Sequence, residues 1–366
     1  MQHKAWVWMG IFLVSVTWLR AQVLPAKFIA YHHKQLQYEG RVGITDSCAE
    51  FYWTGSNVTI NISGATTVAA VLSSNAGNNY YYVIVDGDAA RAKKIKIGKD
   101  KKSYVLADQL TGDKHRVCLF KVTNTDGNTT RLFGFEMSPG AKLQKPPKPS
   151  KRKIEFIGNS ITCGHGVEDK SKDSGAPEFF NNYRAYGAIT ARYFNAQYHC
   201  TAKSGIGITI SWFPEIMPEI FDRLDPNKEG SQWDFKKYQP QIVVINLFQN
   251  DSWLVNTPDH AQFKERFGTA KPTEAFIINA YTDFLKSVRN RYPAAQIICS
   301  LGNMDATREG SQWPGYINSA INSLQDKKMV AHFFAYKNSS GHPVIKEQQA
   351  MADSLVEFIK QQGYWK

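Results

Sequence analysis

Residues 138–153, SPGAKLQKPPKPSKRK, divide the chain into two different grammars. This stretch is rich in Pro and Lys and offers almost nothing to bury, so it is read as a semi-rigid, extended linker. Before it, from Phe28 to about Met137, short apolar runs with period two alternate with turn residues. Val58–Ile62, Tyr82–Val85, Val117–Phe120 and Leu132–Phe135 are the clearest strands, with turns at Asp86-Gly87 and Asp126-Gly127. Many short strands at near-regular spacing without a convincing helix predict a β-sandwich of jelly-roll type. After the linker, strands alternate with helices. Strands are predicted at Ile154–Ile157, Ala196–Cys200, Ile242–Ile245, Gln296–Cys299 and His332–Ala335, and helices at Tyr183–Phe194, Thr273–Arg291, Tyr316–Leu324 and Val344–Gln361. Mostly apolar strands separated by helices predict an α/β domain built on a parallel sheet covered on both faces. The organisation read from the sequence is a sandwich over 23–140, a linker over 141–153 and an α/β domain over 154–366.

Residues 1–22 carry Lys4, the apolar run Ala5–Leu19 and then Arg20-Ala21-Gln22, the layout of a cleaved secretion signal. The run is about 15 residues, short of the roughly 20 that a membrane span requires. A secreted or periplasmic protein is expected, with no membrane span. The five cysteines, Cys48, Cys118, Cys163, Cys200 and Cys299, are odd in number and contain no C-x-x-C, which excludes a disulfide framework and zinc-finger or thioredoxin-type motifs. Buried thiols or one or two isolated bridges remain open. The formal net charge is +12. The cluster Arg91, Lys93, Lys94, Lys96, Lys99, Lys101 and Lys102 invites a nucleic-acid reading, but Lys94 and Lys96 alternate with Ile95 and Ile97 as on the wet side of a strand. A solvated face is expected instead, with acidic glycans as the one anionic partner worth considering.

In a parallel sheet, sites form at the carboxyl ends of the strands. Several predicted strands end there in small polar residues: Gly158-Asn159-Ser160, then Lys203-Ser204-Gly205, then Gln249-Asn250-Asp251, and finally Gly341-His342-Pro343 before the last helix. Ser160 as a nucleophile needs a base, and His342 is the histidine placed at another strand's end in a Gly-marked loop. The backbone N–H groups of Ser160 and Gly205 and the Asn250 amide could together stabilise an oxyanion. The segment is not a G-x-S-x-G elbow, a P-loop or a G-x-G-x-x-G turn.

The order Gly-Asn-Ser, an isolated Gly, Asn-Asp and a late His resembles the four blocks of the SGNH (GDSL-like) hydrolases. With a β-sandwich in front, the architecture resembles carbohydrate esterase family 2, whose members remove O-acetyl groups from plant polysaccharides such as xylan or glucomannan. The resemblance implies Ser160 as nucleophile, His342 as base, an oxyanion hole of Ser160, Gly205 and Asn250, and no metal or cofactor. Asn159 stands where many relatives have Asp. Phe248 stands where the third block usually has Gly, which predicts a reshaped loop and a narrowed acyl pocket. Ser339 stands where the wider superfamily has the triad Asp. The resemblance therefore implies a Ser-His dyad with the ring held by a backbone carbonyl or the Ser339 hydroxyl, and Asp305 and Glu309 are outside candidates for a displaced acid.

Trp212, Trp253 and Trp313 lie in loops after strand ends, either as platforms for a sugar ring or as packing. Asp251 reads as a loop brace, His32, His33 and His199 as surface or core histidines, and Glu168, Asp169 and Asp173 as a solvated insertion. The leading functional reading is a metal-independent serine esterase acting on an acetylated polysaccharide. Its rivals are an SGNH lipase or thioesterase, and a carbohydrate-binding protein whose hydrolase domain is catalytically dead.

Overall fold

A computed structural model describes residues 27–170 and 173–365; the expected secretion signal lies outside the described residues. The first half is a sandwich of two six-stranded antiparallel sheets. The four strands read from alternation are present and longer than their apolar cores: Asn57–Ser63, Asn79–Val85, Lys114–Lys121 and Thr130–Met137. Strands with weaker alternation, such as Val68–Ser74 (VAAVLSS) and Lys102–Ala107 (KSYVLA), take their place by pairing with neighbours. Their edge and inner positions are set across the sheet, which local pattern does not report. Of the basic cluster, Lys93, Lys96, Lys99, Lys101 and Lys102 are exposed as expected. Lys94 is not, because its ammonium reaches the second half and pairs with Glu168 at 2.7 Å.

The second half holds five parallel strands: Lys153–Gly158, Gln197–Ala202, Ile242–Asn246, Gln296–Leu301 and Met329–Phe333. Their spatial order is second, first, third, fourth, fifth. Alternate residues of each strand feed opposite cores. Val243, Ile245, Ile297 and Cys299 pack with helices Glu274–Arg291 and Trp313–Leu324. Ile242, Val244, Ile298 and Phe156 pack with helices Tyr186–Tyr193 and Ile345–Gln362. This is the three-layer arrangement that buries a parallel sheet on both faces. The fifth strand begins three residues earlier than the sequence pattern suggests, because pairing of Ile297 with Met329 fixes its register. The predicted helix from Tyr183 is interrupted, since Asn182 donates to the carbonyls of Thr162 and Cys163 in the turn after the first strand, leaving a short 3₁₀ turn before the helix proper.

The linker is not a free spacer. Lys142–Leu143 adds a strand beside Asn57–Ser63, and Gln144 continues that contact. The two large hydrophobic clusters of the second half include side chains from the sandwich: Tyr52 and Trp53 on one face, Tyr82, Ile84, Phe120 and Val122 on the other. Arg41 of the sandwich, fully buried, pairs at 3.0 Å with Glu155 of the first parallel strand. Thr201 and Tyr292 also donate to that carboxylate. The five thiols are free, four of them buried. Among the described residues no helix is long and apolar enough to cross a membrane.

Candidate active site

The first parallel strand runs directly into one helical turn, Ser160–Cys163. Asn159 caps it, its side-chain oxygen accepting from the Ile161 N–H at 3.1 Å, so Asn serves here as Asp would. Gly158 is required by close approach: a Cβ there would lie 2.0 Å from Thr162 Oγ1. The loop after the second strand places Gly205 at φ +81°. Asp251, fully buried, braces that loop by accepting from the N–H groups of Ile208 (3.0 Å) and Thr209 (2.7 Å) and from the Thr209 hydroxyl (2.7 Å). Burial pushes the Asp251 carboxyl up, against these donors. Asn250 donates one Nδ2 hydrogen to the Ile206 carbonyl at 2.7 Å while its Oδ1 accepts from Trp212 Nε1 at 3.1 Å. Those two contacts fix which way the amide points and leave its second Nδ2 hydrogen uncommitted. Among the described residues no hydrogen bond uses the N–H of Ser160 or of Gly205.

His342 Nε2 lies 2.9 Å from Ser160 Oγ. Its Nδ1 faces Asp173, at 2.8 and 3.0 Å from the two carboxylate oxygens, and its backbone N–H also donates to Asp173 at 3.0 Å. The acid sought at the strand end thus comes from the loop that follows the Ser160 turn. Ser339 is turned elsewhere, donating to Glu347 and accepting from Lys337. Asp305 accepts from Trp253 and Gln249. The three acids expected in a solvated insertion are all engaged. Glu168 holds Lys94, Tyr82 and Asn181, Asp169 accepts from the N–H and hydroxyl of Ser174, and Asp173 holds His342. The bond from His342 keeps the Asp173 carboxyl below its ordinary range. Nothing in the spacing announces this, because only the fold-back of the loop brings position 173 to position 342.

His165 is a second residue that the sequence reading missed, although Gly164-His165-Gly166 directly after the Ser160 turn was a visible signal. Its ring lies tilted against those of His342 (centroids 4.2 Å) and Phe180 (4.3 Å). Burial, with His342 beside it, pushes His165 down to about 4. His165, Asp173 and His342 offer ligand atoms within 4.8 Å of one another, the geometry of a possible cation trio. Both ring nitrogens of His342 are, however, already engaged, Nδ1 by Asp173 and Nε2 by Ser160.

The three tryptophans separate. Trp212 is 48% exposed and holds Asn250. Trp253 lines a cavity beside Gly341, with Nε1 on Asp305. Trp313 packs on Phe248, centroids 5.0 Å apart. Phe248 itself adopts φ +79°, the conformation natural to Gly, and its ring is buried between Tyr281 and Trp313. The loop keeps the path a glycine would give it, and the ring goes into the core instead of narrowing an acyl pocket.

Comparison with known proteins places this arrangement. Residues 38–147 match the family described as carbohydrate esterase 2 N-terminal. Over 344 residues the chain is 33% identical to the cellulase/esterase CelE of Acetivibrio thermocellus, covering 90% of this chain but 39% of that protein. It is 29% identical over 297 residues to an acetylxylan esterase / glucomannan deacetylase of Cellvibrio japonicus, covering 77% of this chain and 78% of the relative. The solved structure of a family two carbohydrate esterase from Clostridium thermocellum in complex with cellohexaose superposes with a TM-score of 0.79 at 32% identity, over 90% of this chain and 100% of that one. With its sandwich set before an SGNH-type parallel sheet, the chain belongs to carbohydrate esterase family 2.

Proposed function

We propose that the protein is an exported serine esterase that removes O-acetyl groups from a plant-type polysaccharide, acetylated xylan or glucomannan, through an acyl-enzyme. The observation that carries this reading is the relay Ser160 Oγ, His342 Nε2, His342 Nδ1, Asp173, with contacts of 2.9 and 2.8 Å. An ionised Asp173 keeps the proton on Nδ1, so Nε2 presents its lone pair to the Ser160 hydroxyl. Ser160 Oγ attacks the acetyl carbonyl as its proton passes to Nε2, and the oxyanion is received by the N–H groups of Ser160 and Gly205 and the free Nδ2 hydrogen of Asn250. The imidazolium returns the proton to the departing sugar oxygen. Water, deprotonated by the same nitrogen, then releases acetate and restores Ser160. No cofactor or metal is needed for any of these steps. The names of the similar proteins support the acetyl and polysaccharide parts of the reading.

The test is acetate release from acetylated xylan and glucomannan by the wild type and Ser160→Ala. Release by the wild type and none by the variant is expected; equal release by both would overturn the assignment. Preference for long-chain over acetyl p-nitrophenyl esters would favour the lipase-like alternative. Glycan binding without acetate release or serine labelling by a fluorophosphonate would favour a catalytically dead binding protein.

A further inference from the structure

Next to the loop that carries His342 lies a cavity whose guanidinium the deacetylation reading does not use. The cavity, of about 410 Å³, opens beside Gly341, with Trp253, Asp305, Arg308 and Tyr336 in its lining. Arg308 is exposed, yet its orientation is set. The guanidinium lies over the Tyr336 ring at 5.1 Å, and Nη2 donates to the Tyr336 hydroxyl at 3.0 Å. Among the described residues it forms no ion pair with a carboxylate.

The carboxylate lining the same cavity is turned to other work. Asp305 Oδ1 accepts from Gln249 Nε2 (2.7 Å) and Trp253 Nε1 (3.0 Å), and Oδ2 accepts from Trp253 Nε1 (2.8 Å). Lys337 does not line the cavity; its Nζ donates to the Ser339 carbonyl and hydroxyl and to the Ser340 carbonyl. Glu347 accepts from Ser339 Oγ and the Val344 N–H, and Asp173 is held by His342. Asp305 keeps its charge and lies near Arg308, but it is committed to Gln249 and Trp253 and makes no ion pair with the guanidinium, whose Nε and Nη1 have no hydrogen-bond partner among the described residues.

A braced guanidinium with unused donors beside an aromatic wall suits a planar carboxylate on a sugar. We propose that this cavity is a subsite for an acidic sugar, so that the preferred substrate is an acetylated glycan carrying a uronic acid near the ester, with Arg308 gripping its carboxylate. The inference rests on the esterase reading above. It deepens that reading by assigning a charge to the substrate.

The experiment compares acetylated xylo-oligosaccharides with and without a glucuronic acid branch, reading KM for acetate release by the wild type, Arg308→Gln and Arg308→Lys. Because the guanidinium is solvent-exposed, a preference of about three- to tenfold for the acidic series is expected in the wild type at low salt. Arg308→Gln should bring the ratio of the two KM values to about one, Arg308→Lys should leave part of it, and 0.5 M salt should shrink it in the wild type, a salt level set by the roughly 3–10 Å screening length between 0.1 and 1 M. Equal KM values in the wild type, or an Arg308→Gln variant that keeps the preference, would overturn the proposal. Failure of the esterase reading has a different signature, since the wild type would then release acetate from neither series nor from p-nitrophenyl acetate.

Discussion

Asp173 and His342 hold each other: the ring and backbone of His342 donate to the carboxylate, and that bond keeps the acid charged at pH values below the ordinary carboxylate range. In Asp173→Asn the neutral amide no longer holds the proton on Nδ1, because its NH2 can donate to that nitrogen and turn the His342 proton onto Nε2, which weakens the base. Loss of a buried triad acid costs about 10⁴ in kcat; Asp173 is exposed to water that can partly replace it, so a fall of roughly 10- to 1,000-fold is expected. His342→Ala should cost several orders of magnitude more than the outer acid does. A kcat within about twofold of wild type for a folded Asp173→Asn would return the site to a dyad, since even the mildest expected loss is about tenfold. The Asn250 amide is a separate test. If its free Nδ2 hydrogen meets the oxyanion, Asn250→Ala lowers kcat about 10²–10³-fold with little change in KM. Because Trp212 also loses its acceptor in that variant, Trp212→Phe serves as the control, and it should cost far less.

At the scale of the element, the turn between the third parallel strand and the helix Gln249–Leu254 stores strain at one residue. Phe248 sits at φ +79° with its ring fully buried. A left-handed conformation disfavours a residue with a Cβ by roughly 1–2 kcal/mol, whereas loss of a buried Phe ring costs about 3–5 kcal/mol, so packing wins. Phe248→Ala and Phe248→Gly should both destabilise the fold in urea titrations. The Gly variant should be the more stable of the two by about 1 kcal/mol despite its smaller side chain, because it alone relieves the strain. An Ala variant equal to or more stable than Gly would show that the backbone there is not strained. The same turn carries Asn250 and Asp251, so both substitutions are expected to reduce activity through loop geometry.

For the whole molecule, the buried contacts between the sandwich and the α/β half predict that the two unfold together. Arg41 and Glu155 form a buried pair across the joint, and Asn124 of the sandwich accepts from the N–H of Ser204, next to Gly205. Removing the sandwich would leave Glu155 without its counter-charge and the apolar site that Trp53 fills empty, so a fragment from Lys151 is expected to misfold rather than keep small-ester activity. Arg41→Ala, which strands a buried carboxylate, should cost about 3–5 kcal/mol in chemical denaturation. A loss below about 1 kcal/mol, as for a surface pair, would mean that water reaches the joint. Acid sensitivity is a second global property. Burial pushes His165 and His332 down to about 4 and His199 well below its usual range. Unfolded histidines titrate near 6.5, so between about pH 6.5 and 4 the unfolded chain takes up protons that the folded chain refuses, and stability falls as pH falls. Melting temperature should therefore drop from pH 7 to pH 5, and His332→Gln should flatten that slope. A melting temperature that is level or rising over this interval would contradict the assignment.

The sequence by itself determined the two architectures, the strand ends that carry Ser160, Gly205, Asn250 and His342, and the family resemblance, because these depend on periodicity and on short motifs in order along the chain. Alternation within a strand and the 3.6-residue repeat of a helix are local, and they were readable wherever apolar runs were long enough to show them. Tertiary structure decided what depends on chain segments meeting: the acid at Asp173, the ring of His165 on His342, the fate of the Phe248 side chain, and the joining of the two halves through Arg41 and Glu155. Asp173 lies in a polar loop whose composition reads as solvated. A carboxylate acquires its role from the group it faces, and the partner here is 169 positions away in the chain.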